Sequence, residues 1–224
     1  MMNMNKKMIM LFVTVMIAAN AMAQIPENVK EVLRKSDAKM ASFRTSAGVM
    51  LDANVKMNVS MVTFNGTMKV CEKNKKFFAN MSLKAMQDME LNVEVGFDGQ
   101  QKWEYTALSG KEKNTLKITK TQDALNKLGP KNNYEKDYKK AKMEESGLYY
   151  VITFSEPLKK GVSEKAVVKI VKKSYILHEY SVDEDMGPFK GKITITITKI
   201  TKGCRDSWFK LDMNRYKNAT VVRQ

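Results

Sequence analysis

The sequence predicts an α+β protein: one amphipathic helix, then roughly ten or eleven antiparallel strands in a single sheet-rich domain. Three observations carry that expectation. Apolar residues recur at three and four over residues 25–44, and the period switches to two beyond Ser46. Polar turn residues separate the alternating runs, and no Pro/Gly-rich or low-complexity linker divides the chain. Of 224 residues, 43% are apolar and 28% charged, with 11 Gly and 4 Pro, which suits a globular core and excludes collagen-like or disordered classes.

The chain begins with an address. Residues 1–7 are a short polar stretch ending in Lys6-Lys7, and residues 8–19 are an uncharged apolar run too short to span a bilayer comfortably. Ala21-Met22-Ala23 then places small residues at the positions a signal peptidase requires. The expectation is a signal peptide over residues 1–23, cleaved after Ala23, with residues 24–224 exported as the mature domain. No Cys lies near that site, so lipidation of the new N-terminus is not expected.

The helix follows directly. Ile25, Val29, Val32, Leu33, Met40 and Phe43 recur at helical spacing, with Pro26 and Glu27 at first-turn positions. Strand alternation then begins: Ala47, Val49, Leu51, Ala53, Val55, Met57, Val59 and Met61 occupy the odd positions of a long half-buried strand. Asn65-Gly66 predicts a tight hairpin turn, and the Lys/Asn stretch at 73–76 predicts another, leading into a strand at 77–84. Met89, Leu91, Val93, Val95 and Phe97 alternate with polar residues, and Asp98-Gly99 turns the chain into 101–107. A strand at 115–119 precedes a short helix at 121–128 closed by Gly129-Pro130, and 131–140 reads as a surface connection. Further strands are expected near 142–145, 148–155, 165–172, 175–182 and 190–200, then a last one near 208–212 before an irregular tail.

Such a sheet has an apolar face too large for one helix to cover. It must curl, either into a solidly packed barrel or into an incompletely closed one that keeps an apolar concavity. Eight Met (40, 50, 57, 61, 68, 81, 86, 89) cluster at the front of the mature domain. Their unbranched, polarizable side chains serve an adaptable interior or simply fill irregular core space.

An amphipathic helix ending near Phe43 leads into a long strand and then Asn65-Gly66-Thr67-Met68-Lys69-Val70. Lys75-Lys76-Phe77-Phe78 and Phe97-Asp98-Gly99 follow, with Trp103-Glu104-Tyr105 after them. With a closing segment at 208–222, this order resembles the LolA-type outer-membrane lipoprotein carriers over nearly all of 25–224. The resemblance implies an incompletely closed antiparallel barrel with the N-terminal helix as lid. It further implies a periplasmic carrier or chaperone, acting as a monomer without cofactors, that encloses acyl chains of lipoproteins or lipids for transfer toward the outer membrane. Alternation then nominates Val55, Met57, Val59, Met61, Leu91, Val93, Val95 and Trp103 as cavity-lining residues, and Val32, Leu33 and Met40 as lid residues. Where that family carries an Arg-Pro step before its aromatic strand, this chain has Lys73-Asn74, so no gating Arg carries over. Relatives on the same scaffold include lipid-responsive regulators, so a non-enzymatic envelope interaction module is the alternative.

Composition limits the other classes. The net charge is +15, from 39 Lys+Arg of which only five are Arg, which suits solvated strand edges or attraction to anionic membrane surfaces and acidic proteins rather than base reading. With the export signal and no aromatic-basic motif, no nucleic-acid partner is expected. No G-x-S-x-G, H-E-x-x-H, P-loop or G-x-G-x-x-G appears, and the single His178 beside Glu179 reads as a strand histidine, so no enzyme is expected. Two Cys and one His do not make a four-ligand zinc site. In an oxidising compartment Cys71 and Cys204 form a disulfide or remain two independent thiols.

Overall fold

A computed structural model of the full chain describes residues 25–85, 89–109, 114–120, 134–160, 162–186 and 189–223. The expected signal peptide at 1–23, the helix expected at 121–128 and Met86 lie outside the described residues. Helix α1 spans Glu27–Ala41. Pro26 opens it, Glu27 sits in its first turn and Lys39 in its last, so side-chain charges oppose the helix dipole at both ends.

Twelve strands are described: β1 (Val49–Val59), β2 (Val62–Lys73), β3 (Lys76–Lys84), β4 (Glu90–Phe97), β5 (Gln101–Leu108), β6 (Asn114–Lys120), β7 (Tyr138–Ser146), β8 (Tyr149–Pro157), β9 (Lys165–Val171), β10 (Leu177–Met186), β11 (Phe189–Lys202) and β12 (Ala219–Arg223). A one-turn helix α2 (Tyr134–Asp137) precedes β7, and two 3-10 turns, Asp206–Phe209 and Met213–Tyr216, precede β12. The hydrogen-bonded order is β12-β6-β5-β4-β3-β2-β1-β11-β10-β9-β8-β7, an open sheet with two free ends.

The chain forms two compact units, with β1 and β11 contributing residues to both. In one unit, β2 to β6 are a local antiparallel meander, and β12 adds to β6 in parallel. In the other, β7 to β11 are antiparallel and carry a single apolar face in register: Phe154 opposite Ala166, Ile152 opposite Val168, and Tyr180 opposite Ile195. Val29, Val32, Leu33 and Ser36 of α1 are buried in this second unit, and Tyr134 of α2 stacks on Phe154 with ring centroids 4.3 Å apart.

Three departures from the sequence reading have local physical reasons. The first hairpin turns at Ser60-Met61, where Ser60 takes φ 53°, and not at Asn65-Gly66. Asn65 and Gly66 pair with Lys84 and Leu83 inside the β2–β3 ladder. A Cβ on Gly66 would fall onto the Ser82 carbonyl, so this glycine serves a close approach of two strands. The segment near 208–212 is not a strand: Asp212 accepts from the Asn214 N–H and starts a 3-10 turn. The tail read as irregular forms β12, which adds to β6 in parallel in a sheet expected to be wholly antiparallel. The turn at 73–76 stands as expected, with Asn74 and Lys75 at φ 49° and 63°.

Candidate functional site

The nominated lining residues divide between faces and between units. In antiparallel pairing, directly opposite residues point to the same side. Met81 opposes Val93, Leu83 opposes Leu91, and Ala79 opposes Val95, so β3 and β4 present one continuous apolar face. Met68 and Val70 of β2 join it by their pairing with Met81 and Ala79. Leu51, Ala53 and Val55 are the buried alternates of β1 in the same unit, and every residue of this set is buried. The face changes character at β5, where Lys102 and Glu104 oppose Phe97 and Val95 and form an ion pair with each other.

Trp103 is not on that face. It opposes Gly96, one step out of phase with Val93 and Val95, so the register turns its indole to the opposite side of the sheet. Met61 is also misplaced: it sits in the β1–β2 turn and is 100% exposed. The expectation failed for both because alternation was extended through a turn in one case and across a hairpin in the other. In the second unit, Met57 is buried on β1 and Val59, its last residue, is half-buried. Of the nominated lid residues, Val32 and Leu33 are buried in α1 while Met40 is half-buried near its end.

The opposite face of the β2–β6 sheet holds what alternation missed. Cys71, Phe78, Trp103, Leu116 and Ile118 pack there with Phe209 and Tyr216 from the 3-10 turns. The C-terminal segment thus covers a face that carries Glu94, one of the polar residues that alternate with Leu91, Val93 and Val95 in β4. Glu94 is 3% exposed. Its carboxylate accepts from Arg215 at 2.7 Å, from the Tyr216 hydroxyl and, at 3.5 Å, from the Trp103 indole N–H. Burial pushes its pKa above the ordinary 4.5, while Arg215 and the hydrogen bonds from Trp103, Arg215 and Asn80 pull it back. A signal was present in the pairing of an acidic residue in β4 with aromatic β5 and a late Trp-Phe, but only the fold brings them together.

Beside this cluster, in the same unit, lies a groove of about 500 Å³. Phe78 and Trp208 form one wall, stacked with centroids 5.9 Å apart, and Asp52, Lys69, Asn80 and Arg215 bring polar groups to the rim. Lys69 pairs with Asp52 at 3.3 Å and lies over the Trp208 ring. None of the nominated residues lines this groove.

His178 stacks on Tyr149, with centroids 4.8 Å apart and the planes 15° from parallel. Among the described residues, no three of His, Cys, Asp and Glu are grouped to hold a metal ion. No described helix is long and apolar enough to cross a membrane. Cys71 and Cys204 are both free thiols and stand beside one another, Cys71 within the cluster and Cys204 packed against it.

No protein-family model matches the sequence, and no curated protein does. Solved structures do match. The Mycobacterium tuberculosis lipoprotein LppX superposes with a TM-score of 0.50 at 14% identity, covering 80% of this chain and 98% of that one. An uncharacterized conserved protein from Thermus thermophilus gives 0.48 at 11% identity, over 88% of this chain and 99% of the other. A LolA superfamily protein, NE2245 from Nitrosomonas europaea, gives 0.34 at 11% identity, over 82% and 97%. At these identities the likeness is one of fold alone: an open, mostly antiparallel sheet with an N-terminal helix, matched over nearly the whole of LppX.

Proposed function

We propose that the protein is an exported, periplasmic carrier or chaperone. It binds acyl chains of lipoproteins or lipids on apolar strand residues and passes them toward the outer membrane without covalent chemistry. The observation that carries this reading is the continuous apolar face of Val55, Met68, Met81, Leu91, Val93 and Val95, bounded at β5 by the Lys102–Glu104 ion pair. A face of this kind holds hydrocarbon by removing it from water, at about 0.8 kcal/mol per buried CH₂, so a long chain gains several kcal/mol against return to solvent. Bounding the face with a charged pair leaves the acyl ester end near polar groups, where its carbonyl oxygens keep hydrogen-bond partners.

The fold shared with LppX supports the reading at the level of scaffold. Lysine-rich β7, with Lys139, Lys140 and Lys142 all exposed, suits transient approach to anionic membrane surfaces. The test is titration of residues 24–224 with a fluorescent long-chain acyl probe, with competition by a lipopeptide and by its deacylated form. Displacement by the acylated peptide alone is expected. Absence of probe binding, or equal displacement by both peptides, would contradict it.

A further inference from the structure

The chain's two cysteines are brought together from distant parts of the sequence, in one unit, at a seat built for a sulfur atom. Cys71 lies in β2 and is wholly buried, while Cys204, just after β11, is only half-buried. Two backbone hydrogen bonds fix the second: the Cys204 N–H donates to the Ala47 carbonyl at 2.9 Å and the Gly203 N–H to that of Gly48 at 2.8 Å. Its Sγ lies 3.1 Å from the Val49 carbonyl oxygen and 3.8 Å from that of Glu72, the residue that follows Cys71.

Gly48 leaves room for this sulfur. At φ +94° it occupies the left-handed region, and a Cβ there would come within 3.1 Å of Cys204 Sγ and 2.8 Å of the Glu72 oxygen. Interaction with the neighbouring Cys204 sulfur, together with burial, raises Cys71 far above the ordinary thiol range, and the reciprocal interaction lowers Cys204. The pair is therefore asymmetric in access as well as in acidity.

We propose that Cys71 and Cys204 are a dithiol–disulfide couple in which Cys204 attacks and Cys71 resolves, closing a covalent latch between β2 and the C-terminal segment. The oxidant is a disulfide, small or protein-borne. The Cys204 thiolate attacks one of its sulfurs, forms a mixed disulfide and releases the first thiolate. That thiolate takes the Cys71 proton. The Cys71 thiolate then displaces the second sulfur from Cys204 Sγ as a thiolate, which takes up from solvent the proton that Cys204 lost on ionising. Two protein thiols are oxidised and one disulfide is reduced to two thiols. The latch ties down the segment that carries Trp208, Phe209, Arg215 and Tyr216, and with it the cover over Glu94 and one wall of the groove. The couple rests on the export reading only for where such an oxidant is met, and its chemistry is tested independently of acyl binding.

The experiment uses residues 24–224, reduced, desalted, exposed to glutathione disulfide, quenched with a maleimide and mapped by non-reducing peptide mass spectrometry. Expected are loss of both thiols, a single intramolecular Cys71–Cys204 peptide, and a thermal midpoint raised by about 10 °C over the reduced chain. Cys71→Ser should accumulate a stable glutathione adduct on Cys204, and Cys204→Ser should leave Cys71 unmodified over the same interval. Persistence of both thiols in the unsubstituted chain, or pairing between chains, overturns the latch whatever the variants do. Equal adduct formation in the two variants overturns the assignment of roles.

Discussion

Gly96 and Trp103 face each other across the β4–β5 pair, and the indole occupies the space that a Cβ on Gly96 would fill. The exchange is direct: one strand gives up a side chain so that the ring of a fully buried Trp takes its place. Gly96→Ala should therefore destabilise the protein by about 1–3 kcal/mol through overpacking, in a unit whose cluster centres on this ring. Urea unfolding followed by tryptophan fluorescence checks it, and an unchanged midpoint would show that the ring relocates without cost.

Glu94 makes a pH prediction with a definite sign. Burial raises its folded-state pKa above 4.5, with Arg215 offsetting only part of the shift. Between 4.5 and that raised value the folded protein binds more protons at Glu94 than the unfolded chain does, so stability falls as pH rises through the window. The contribution is fully present below 4.5 and is lost above the folded-state pKa. The stability difference between the unsubstituted protein and Glu94→Gln should decline with rising pH over that window, measured by denaturant midpoints at each pH. A difference that grows with pH would show that the Arg215 pair, and not burial, governs the site.

Gly66 tests the reassigned hairpin. Its backbone lies against Ser82, so Gly66→Ala should force β2 and β3 apart and lower the thermal midpoint. If the chain turned at Asn65-Gly66, the same substitution would strain only a surface loop. Hydrogen exchange of the Ser82 and Leu83 amides separates the two: faster exchange in the variant is expected.

Val93 tests the acyl-binding face. It is 2% exposed and pairs with Met81 at the middle of that face, so Val93→Asp places an unpaired carboxylate among hydrocarbon. Acyl-probe affinity should fall at least about tenfold, the equivalent of roughly 1.4 kcal/mol. Lys217→Asp, at an exposed residue just after the second 3-10 turn and outside the face, is the matched control and should bind as the unsubstituted chain does. Where Val93→Asp does not fold, Val93→Thr, nearly isosteric and polar, reads the same effect at smaller size.

Much of the fold was legible because it is local. The helix period, the alternation of β4 and the turn at 73–76 each reside in a few consecutive residues, and the meander β2 to β6 joins neighbours in sequence. Alternation yields two faces for each strand, but it does not say what covers them. Trp103 was assigned to the wrong face because alternation does not carry its phase across the β4–β5 hairpin. The burial of Glu94 was not legible because the 3-10 turns and β12, some hundred residues later in the chain, turn a polar-looking face into a second core. Asn65-Gly66 was misread because a glycine needed for close strand approach carries the same letters as one needed for a turn. The seat around Cys204 was out of reach for a related reason, since it depends on backbone carbonyls of Val49 and Glu72 that no side-chain pattern records.

The carrier reading is tested most directly by native mass spectrometry of the protein released from the envelope of cells that export it. The account predicts a mature chain beginning at Gln24 and carrying a stoichiometric, non-covalent acylated ligand that dissociates on collisional activation. A clean ligand-free mass together with a stable protein partner would contradict it and favour an interaction module on the same scaffold.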